Sequence, residues 1–352
     1  MKQIRMRSLA ALGMTHSSAA ARPRRLLAVG GPSTPDDPVL LALTTPLIGQ
    51  FDPAFTSIMD EVMLLGRAAL LTRNARCFPI SALPSAGLEA LLNTLVQDGD
   101  PIRVIGSSEF RDSVADIVVR RGGKPAESGA VTIAPHVDPH TGEALPLAAM
   151  ATECHVRNSL LLVDATWSLG GRELRTDDWQ LDAVVAGVDY CLGAPSGMTL
   201  VTYSDAVEHA MHARATPPRT SYLDLLQLQA YWSPERLNHH TAPTSLVYGL
   251  HEALQLVVEE SPEARWTRHA EVTRMLRDGL HELGLEPHGD GPLLLVQVPD
   301  GDGRRTRLRE EHGISVAATA DGAWRVALLG ADAQPHVCRA LLSAIAAVLR
   351  SE

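Results

Sequence analysis

Three ionisable side chains alternate along one short segment of the chain. His136, Asp138 and His140 stand two residues apart, and side chains at this spacing on an extended segment point to the same side. Two imidazoles and one carboxylate form a recognised ligand set for a transition metal. Pro139 disturbs regular strand geometry within the segment. A metal-dependent enzyme using these three residues is therefore one hypothesis.

A second feature is the scarcity of lysine. Only Lys2 and Lys124 are lysines, and neither lies within residues 186–197, where Asp189 and Tyr190 follow a predicted strand. A phenol cannot form an imine with an aldehyde, so covalent chemistry of that kind is excluded at Tyr190. The neighbouring carboxylate and phenol instead favour acid-base chemistry at this point of the chain.

The elements that position these residues alternate between apolar strands and helices. Residues 101–105, 131–134, 160–164, 184–186 and 198–203 are predicted strands, with helices at 86–96 and 113–121. Such alternation predicts an α/β fold with a mostly parallel sheet that is covered on both faces. Ligands bind at the carboxyl ends of the strands in sheets of this type. Asp164, the last residue of a buried strand, is therefore expected at the ligand-binding edge.

The second half of the chain predicts a smaller α+β unit. Helices are predicted at 243–259, 264–283, 304–311 and 334–349, and strands at 293–298, 314–317 and 324–329. The predicted organisation is a flexible N-terminal tail at 1–25, a large α/β domain at 26–262 and a small C-terminal α+β domain at 263–352. Ser261 and Pro262 punctuate the pattern at the boundary.

The composition narrows the class of partner. The chain is 45% hydrophobic and carries a formal net charge of −10, which argues against a nucleic-acid surface. No apolar run reaches the length of a membrane span. The four cysteines are widely scattered and suggest no disulfide framework. We therefore expect a cytoplasmic protein with a small-molecule partner.

Short motifs spread over nearly the whole chain, from about residue 26 to 349, resemble those of one family. They are residues 31–33 (GPS), 49–55 (GQFDPAF), 85–90 (SAGLEA), 162–165 (LVDA), 168–171 (SLGG), 191–195 (CLGAP), 239–243 (HHTAP) and 324–326 (WRV). In order and spacing they resemble the class V aminotransferases of the alanine-glyoxylate or serine-pyruvate type. The resemblance implies the fold-type I architecture of pyridoxal-phosphate enzymes and a homodimer with active sites at the subunit interface.

The resemblance implies roles for four retained residues. Asp164 matches the carboxylate that pairs with the cofactor's pyridine nitrogen, and Phe110 matches the aromatic residue that stacks on the ring. Arg325 matches the arginine that binds the substrate carboxylate. Thr241 matches a residue that reaches the neighbouring subunit's phosphate. Each has a structural alternative: a strand-end acid, a core phenylalanine, an ion-paired arginine and a helix cap.

Other positions depart from the family. Tyr190 stands where the family has its Schiff-base lysine. The turn that cradles the cofactor phosphate reads Ser81-Ala82-Leu83-Pro84-Ser85, and Ser81 and Ser85 are its remaining hydroxyl residues. Pro84 removes one N–H donor and Leu83 places an apolar side chain beside the phosphate position. A firmly held phosphate is therefore not expected.

Two changes add ionisable groups to the same region. His140 stands near the expected cofactor oxygen in place of a hydroxyl, and Asp189 replaces an amide. An imidazole is a general base near neutral pH. The leading hypothesis is an enzyme that binds a small amino or 2-oxo acid through Arg325, with Tyr190, His140, Asp164 and Asp189 as acid-base groups. No cofactor is expected in this version.

Three alternatives remain open besides this one. Pyridoxal phosphate or pyridoxamine phosphate could be bound non-covalently, with Ser81, Ser85 and Thr241 as the phosphate contacts. The chain could also be a non-catalytic dimeric binding protein, because a degenerate phosphate turn fits the loss of an activity. The metal-dependent enzyme is the third alternative.

Overall fold

The computed structural model describes residues 25–350. Residues 1–24 of the predicted N-terminal tail lie outside this range. The strands, in chain order, are β1 (Leu26–Leu27), β2 (Arg76–Ile80), β3 (Pro101–Val104), β4 (Lys124–Pro125), β5 (Val131–Pro135), β6 (Leu160–Asp164), β7 (Ala183–Gly187), β8 (Thr199–Tyr203), β9 (Pro287–His288), β10 (Leu294–Val296), β11 (Ile314–Ser315), β12 (Ala317–Ala318) and β13 (Trp324–Val326). The helices are α1 (Asp37–Ala42), α2 (Pro53–Leu70), α3 (Pro84–Leu95), α4 (Ser108–Arg120), α5 (Leu147–Val156), α6 (Asp205–His212), α7 (Leu225–Trp232), α8 (Thr244–Glu260), α9 (Pro262–Glu282), α10 (Gly301–Glu311) and α11 (Pro335–Arg350).

Seven strands form the main sheet, in the order β2-β8-β7-β6-β5-β3-β4. Strands β3 to β7 run parallel to one another, while β8 runs antiparallel to both β7 and β2. Every residue of β5, β7 and β8 is buried, as expected for a sheet that is covered on both faces. The structure thus confirms the predicted α/β fold with a mostly parallel sheet.

Helix α2 illustrates how the sequence builds the layer beside this sheet. The carboxylate of Asp52 caps the helix by accepting a hydrogen bond from Ala54 N, and Pro53 occupies the first turn. Phe55, Met59 and Val62 follow at helical spacing and are fully buried. The helix therefore turns one apolar stripe to the core.

A second core lies in the C-terminal part of the chain. Four short antiparallel strands, in the order β12-β13-β10-β9, form its sheet. Trp324 of β13 and Leu341 and Ile345 of α11 are buried in this core. The periodicity predicted for the last helix is confirmed, because its buried residues lie on one face.

Strand β1 joins this second core, which differs from the predicted domain division. Leu26 pairs in parallel with Ile314, and Ala28 is buried among the apolar residues of the same core. The prediction assigned residues from 26 onward to the large domain. Two-residue strands carry no periodicity of their own, so the sequence pattern did not reveal this pairing.

The carboxyl ends of three parallel strands meet at one edge of the main sheet. Asp164 at the end of β6 pairs with Pro135 of β5 and with Val185 of β7. The loops that follow these strands therefore emerge side by side. Within residues 25–350, none of the helices is long and apolar enough to cross a membrane.

Candidate active site

Asp164 is the last residue of β6, and its carboxylate lies at the edge of the sheet where a ligand was predicted to bind. It is half-buried, and its Oδ1 accepts a hydrogen bond of 2.9 Å from Thr166 N. Burial raises the pKa of Asp164, and the hydrogen bonds from Thr166 oppose this effect. A positively charged partner would therefore stabilise the ionised carboxylate at this position.

Tyr190 lies in the turn after β7 and packs closely against two other loops. Its ring packs against that of Trp167 in a T-shaped arrangement, with a distance of 4.8 Å between ring centroids. Burial raises the pKa of Tyr190 to about 12, with further contributions from the charges of Asp189 and Asp164, and Arg325 lowers it. The phenol is therefore protonated near neutral pH. Of the acid-base roles predicted for Tyr190, hydrogen-bond donation is the one that this pKa favours.

Arg325 lies on β13, and its side chain packs against Trp167, the residue that also contacts Tyr190. Its guanidinium carbon lies 5.8 Å from the centroid of the Trp167 ring, and its Nη2 donates a 2.8 Å hydrogen bond to the Pro139 carbonyl. The buried Nε has no hydrogen-bond partner among the described residues. The Arg325 guanidinium is thus held in place by one hydrogen bond and forms no salt bridge with a carboxylate of residues 25–350.

Asp189, the residue before Tyr190, is buried, with 6% of the residue exposed. Its Oδ2 accepts a hydrogen bond from Ser196 Oγ, whereas its Oδ1 has no partner among residues 25–350. A Cβ built on Gly187 would lie 3.3 Å from this Oδ1 and 2.6 Å from Pro84 Cγ. The free oxygen therefore lies near the first turn of α3.

The three predicted metal ligands do not converge. Nδ1 of His136 lies 2.9 Å from Ser168 Oγ, and burial lowers the pKa of His136 to about 3. Asp138 accepts hydrogen bonds from the backbone N and the hydroxyl of Ser107 and from His140 N. Residues 25–350 contain no group of three histidine, cysteine or acidic side chains that could hold a metal. His136 and Asp138 thus have structural partners in place of a shared ion.

The remaining predicted contacts are spread around this centre. Arg325 donates a hydrogen bond to the carbonyl of Pro139, the residue before His140. The loop that carries His140 therefore borders the Arg325 guanidinium. Phe110 is 5% exposed and lies in the core of the main sheet, against Gly106. Phe110 is therefore buried, and its role in stacking on a ring stays a prediction.

The predicted phosphate contacts do not form one cluster with defined partners. The carbonyl of Ser81 accepts a hydrogen bond from Tyr222, and Ser85 is exposed on the first turn of α3. Thr241 is exposed two residues before the N-cap of α8, Pro243, so it does not cap that helix.

The sequence interpretation missed several residues that build the site. Trp167 contacts both Tyr190 and Arg325, and its signal was a bulky aromatic residue three positions after the strand-end acid. Ser33 N donates to the Asp189 carbonyl (2.8 Å) and Ser33 Oγ to the Tyr190 carbonyl (2.7 Å). The N-terminal loop thereby fixes the turn that carries both ionisable residues.

A cleft in the described structure is separate from Tyr190, Asp164 and Arg325. It has a volume of about 840 Å³ and lies between the loops after β5 and β6 and helix α9. His136, Arg172, Trp179 and Trp266 line it, and Tyr190, Asp164 and Arg325 do not. The candidate site is thus defined by its side chains and not by cavity size.

Comparisons with known proteins agree with this architecture. A family model described as aminotransferase class-V matches residues 126–287. The (S)-ureidoglycine-glyoxylate transaminase of Bacillus subtilis is 32% identical, over 93% of this chain and 91% of that protein. The crystal structure of alanine-glyoxylate aminotransferase from Nostoc sp. has a TM-score of 0.90 at 30% identity, and the match covers 96% of this chain and 98% of that one. Pyridoxamine-pyruvate transaminase of Mesorhizobium japonicum is 25% identical, over 91% of this chain and 90% of that protein.

These relatives correct the prediction about cofactors. They are transaminases, and transamination is chemistry that pyridoxal phosphate and pyridoxamine phosphate carry out. The expectation that this chain needs no cofactor is therefore wrong. It gave too much weight to the altered phosphate turn, which concerns one end of the cofactor, and too little to Asp164 and Arg325.

The large mostly parallel sheet followed by a small α+β unit is the fold-type I architecture of pyridoxal-phosphate-dependent aminotransferases, as the motifs predicted. Sequence similarity extends over nearly the whole length of both chains. The chain belongs to the class V aminotransferase family.

Proposed function

We propose that this protein is an aminotransferase-like enzyme for a small amino acid or 2-oxo acid, which binds a pyridoxal or pyridoxamine compound without a covalent bond. The observation that carries the proposal is the pairing, around Trp167, of Arg325, a cationic fork of donors, with Tyr190, a residue without an amine. A carboxylate recognition group is retained where a covalent anchor is absent.

The positions of the lysines support non-covalent binding. Lys124 is exposed on β4, the edge strand of the main sheet, and Lys2 lies outside the described residues. Strands β6 and β7, which carry the candidate site, are separated from β4 by β5 and β3. Lys124 is therefore too far along the sheet to replace the amine that Tyr190 lacks.

The ring of such a compound fits the edge at Asp164. The carboxylate lies at the end of β6, is half-buried, and keeps one oxygen beyond its hydrogen bond to Thr166. A protonated ring nitrogen would supply the positive charge that offsets the effect of burial on Asp164. When bound, a pyridoxal or pyridoxamine compound supplies an electron sink at the carbon that carries the amino group.

The side chains around that ring take distinct roles in this proposal. Arg325 binds the carboxylate of the acid through donors not used by Pro139, and Trp167 supports the guanidinium from one face. Tyr190 donates a hydrogen bond, because its raised pKa keeps the phenol protonated. His140, in the loop that Arg325 holds, is the general base.

We also propose a homodimer whose interface includes the surface of residues 40–51. Leu41 and Leu47 in this surface are 71% and 69% exposed, a large apolar area for a free surface. Gln50 bonds to Asn238 and to Ala242 N, which places exposed Thr241 beside the same surface. A second copy that covers it would bring Thr241 to the interface.

The relatives' names suggest the acids to test. The (S)-ureidoglycine and alanine enzymes act with glyoxylate, and the pyridoxamine enzyme acts with pyruvate. The protein should be incubated with pyridoxamine or its phosphate and either acid, and glycine or alanine measured by mass spectrometry together with the aldehyde product. We expect product above the rate of the protein-free mixture. Equal rates with and without protein for all four pairs would contradict the proposed function.

A further inference from the structure

We infer that this site favours a pyridine ligand with a free hydroxymethyl group over one with a phosphate ester, and that Asp189 determines the preference. The inference rests on the proposed function, because it names the form of the compound that the same site takes. It concerns one end of the ligand, next to the first turn of α3.

A helix N-terminus normally attracts phosphate through its backbone N–H groups and its partial positive charge. The first turn of α3 offers little of this. Pro84 has no N–H, and Leu83 at the N-cap makes no side-chain capping bond. Ala86 N donates to the Leu83 carbonyl at 2.9 Å and is thereby occupied within the helix.

A carboxylate already lies next to this turn. The Cβ position built on Gly187 is within 3.3 Å of Asp189 Oδ1 and 2.6 Å of Pro84 Cγ. Asp189 is 6% exposed and forms no salt bridge with an arginine or lysine of residues 25–350. Its only side-chain hydrogen bond in the described structure comes from the neutral hydroxyl of Ser196.

The charge of Asp189 disfavours a phosphate here. Two like charges repel more strongly as the effective dielectric constant falls, and this carboxylate is buried. It also neutralises the weak positive potential of the helix start, which a bound anion would otherwise use. A phosphate ester would therefore add two negative charges next to one that has no cationic partner.

An uncharged hydroxymethyl group avoids this repulsion. Its hydroxyl is also a donor of the kind that Asp189 Oδ1 lacks, and a buried acceptor without a donor is destabilising. Thr166 connects this end to the ring position: its N donates to Asp164, and its Cγ2 is 3.0 Å from the same Cβ built on Gly187. One ring can thus face Asp164 while its substituent faces Asp189. A relative that takes pyridoxamine itself fits this arrangement.

The test compares the affinities of pyridoxamine and pyridoxamine 5′-phosphate for the purified protein by isothermal titration calorimetry. We expect pyridoxamine to bind about tenfold more tightly. In Asp189→Asn, which keeps an acceptor for Ser196, we expect the phosphate to bind about tenfold better than in the wild type, with a smaller change for pyridoxamine. Asp112→Asn, an exposed acid on α4, is the matched control and should leave the ratio unchanged.

Each outcome has a distinct meaning. If the phosphate binds the wild type as tightly as pyridoxamine, the inference is wrong while the proposed function stands. If neither compound binds, both fail. If the Asp189→Asn ratio stays at the wild-type value in protein with unchanged thermal unfolding, Asp189 is not the cause. Because the wild-type ratio needs no variant, an unstable Asp189→Asn protein still leaves the preference testable.

Discussion

Gly31 and the ring of Tyr190 occupy directly adjoining space. A Cβ added to Gly31 would lie 2.3 Å from Tyr190 Cε1, closer than real side chains approach each other. Gly31 also has a φ of 127°, a conformation that favours glycine. The position of the phenol therefore depends on the absence of a side chain at residue 31.

Gly31→Ala should displace Tyr190 and lower the free energy of unfolding by about 1–3 kcal/mol, from backbone strain and the steric overlap. Thermal unfolding and ligand binding both report on this change. Gly99→Ala is the control, because Gly99 also has a positive φ, of 90°, but its added Cβ meets no atom within 4 Å. Equal losses in the two variants would show that the contact with Tyr190 has no special weight.

Tyr190→Lys should give the protein a covalent anchor. We expect this variant, incubated with pyridoxal and reduced with borohydride, to gain the mass of one ligand on the peptide that contains residue 190. The wild type should show no adduct on this peptide, since a phenol forms none. Peptide mass spectrometry of both proteins is the measurement. Labelling confined to Lys2 and Lys124 in the variant would place residue 190 away from the ligand.

Arg325→Gln should weaken the binding of the acid more than that of the ring compound. Loss of a charge-assisted pair costs about 1.5–3 kcal/mol, or roughly a tenfold to hundredfold rise in the KM for the 2-oxo acid. The KM of Arg325→Lys for the 2-oxo acid should fall between those of the wild type and Arg325→Gln, because a single ammonium cannot form the bidentate contact. Arg73→Gln, whose side chain is 95% exposed, serves as the control. An unchanged KM in Arg325→Gln would remove this residue from acid binding.

Two buried histidines should make the folded state less stable in mild acid. Burial lowers the pKa of His136 and His269 from 6.5 to about 3. Between these pH values the unfolded chain binds protons that the folded chain does not. The contribution of the two histidines to the free energy of unfolding is therefore complete above about pH 6.5 and decreases as the pH falls from 6.5 toward 3. Each should contribute a slope of roughly 1.4 kcal/mol per pH unit in this window.

Urea unfolding at a series of pH values between about 7 and 5 measures this slope, above the range in which most carboxylates titrate. His269→Gln should flatten the slope, whereas His209→Gln, at an exposed position on α6, should not. A slope that is the same in all three proteins would rule out this source of acid sensitivity.

Leu41→Glu and Leu47→Glu should convert a dimer to a monomer, because a charge in an apolar interface is not solvated. Light scattering after size-exclusion chromatography gives the mass in solution. Val156→Glu changes another exposed apolar residue, 80% exposed on α5, and should leave the mass unchanged. A wild type that is already monomeric would contradict the proposed interface.

The sequence predicted the elements with strong periodicity and missed those defined by distant contacts. Both ends of strand β6 were predicted correctly, because four apolar residues and the final Asp164 are bounded by loops on both sides. Helix α2 was not predicted, although Asp52 caps it and its buried apolar residues recur at helical spacing. Strand β1 could not be found, since it has only two residues and its partner lies far along the chain, at residues 314–315.

The candidate site shows the same division. Asp164, Tyr190 and Arg325 follow from motif positions, and the structure places Tyr190 and Arg325 against Trp167, three residues after Asp164. The alternation of His136, Asp138 and His140 indicated one shared ligand, yet the turn after β5 gives His136 and Asp138 different partners. Spacing along a segment does not predict convergence once the segment leaves the extended conformation.

The pairing of β1 with β11 has a consequence for how the polypeptide matures. The first strand described pairs with residues 314–315, so it stays without a partner until that later segment has been synthesised. Contacts between such distant residues form late and slowly. A nascent chain halted before Ile314 should therefore expose an unpaired strand edge to chaperones and proteases.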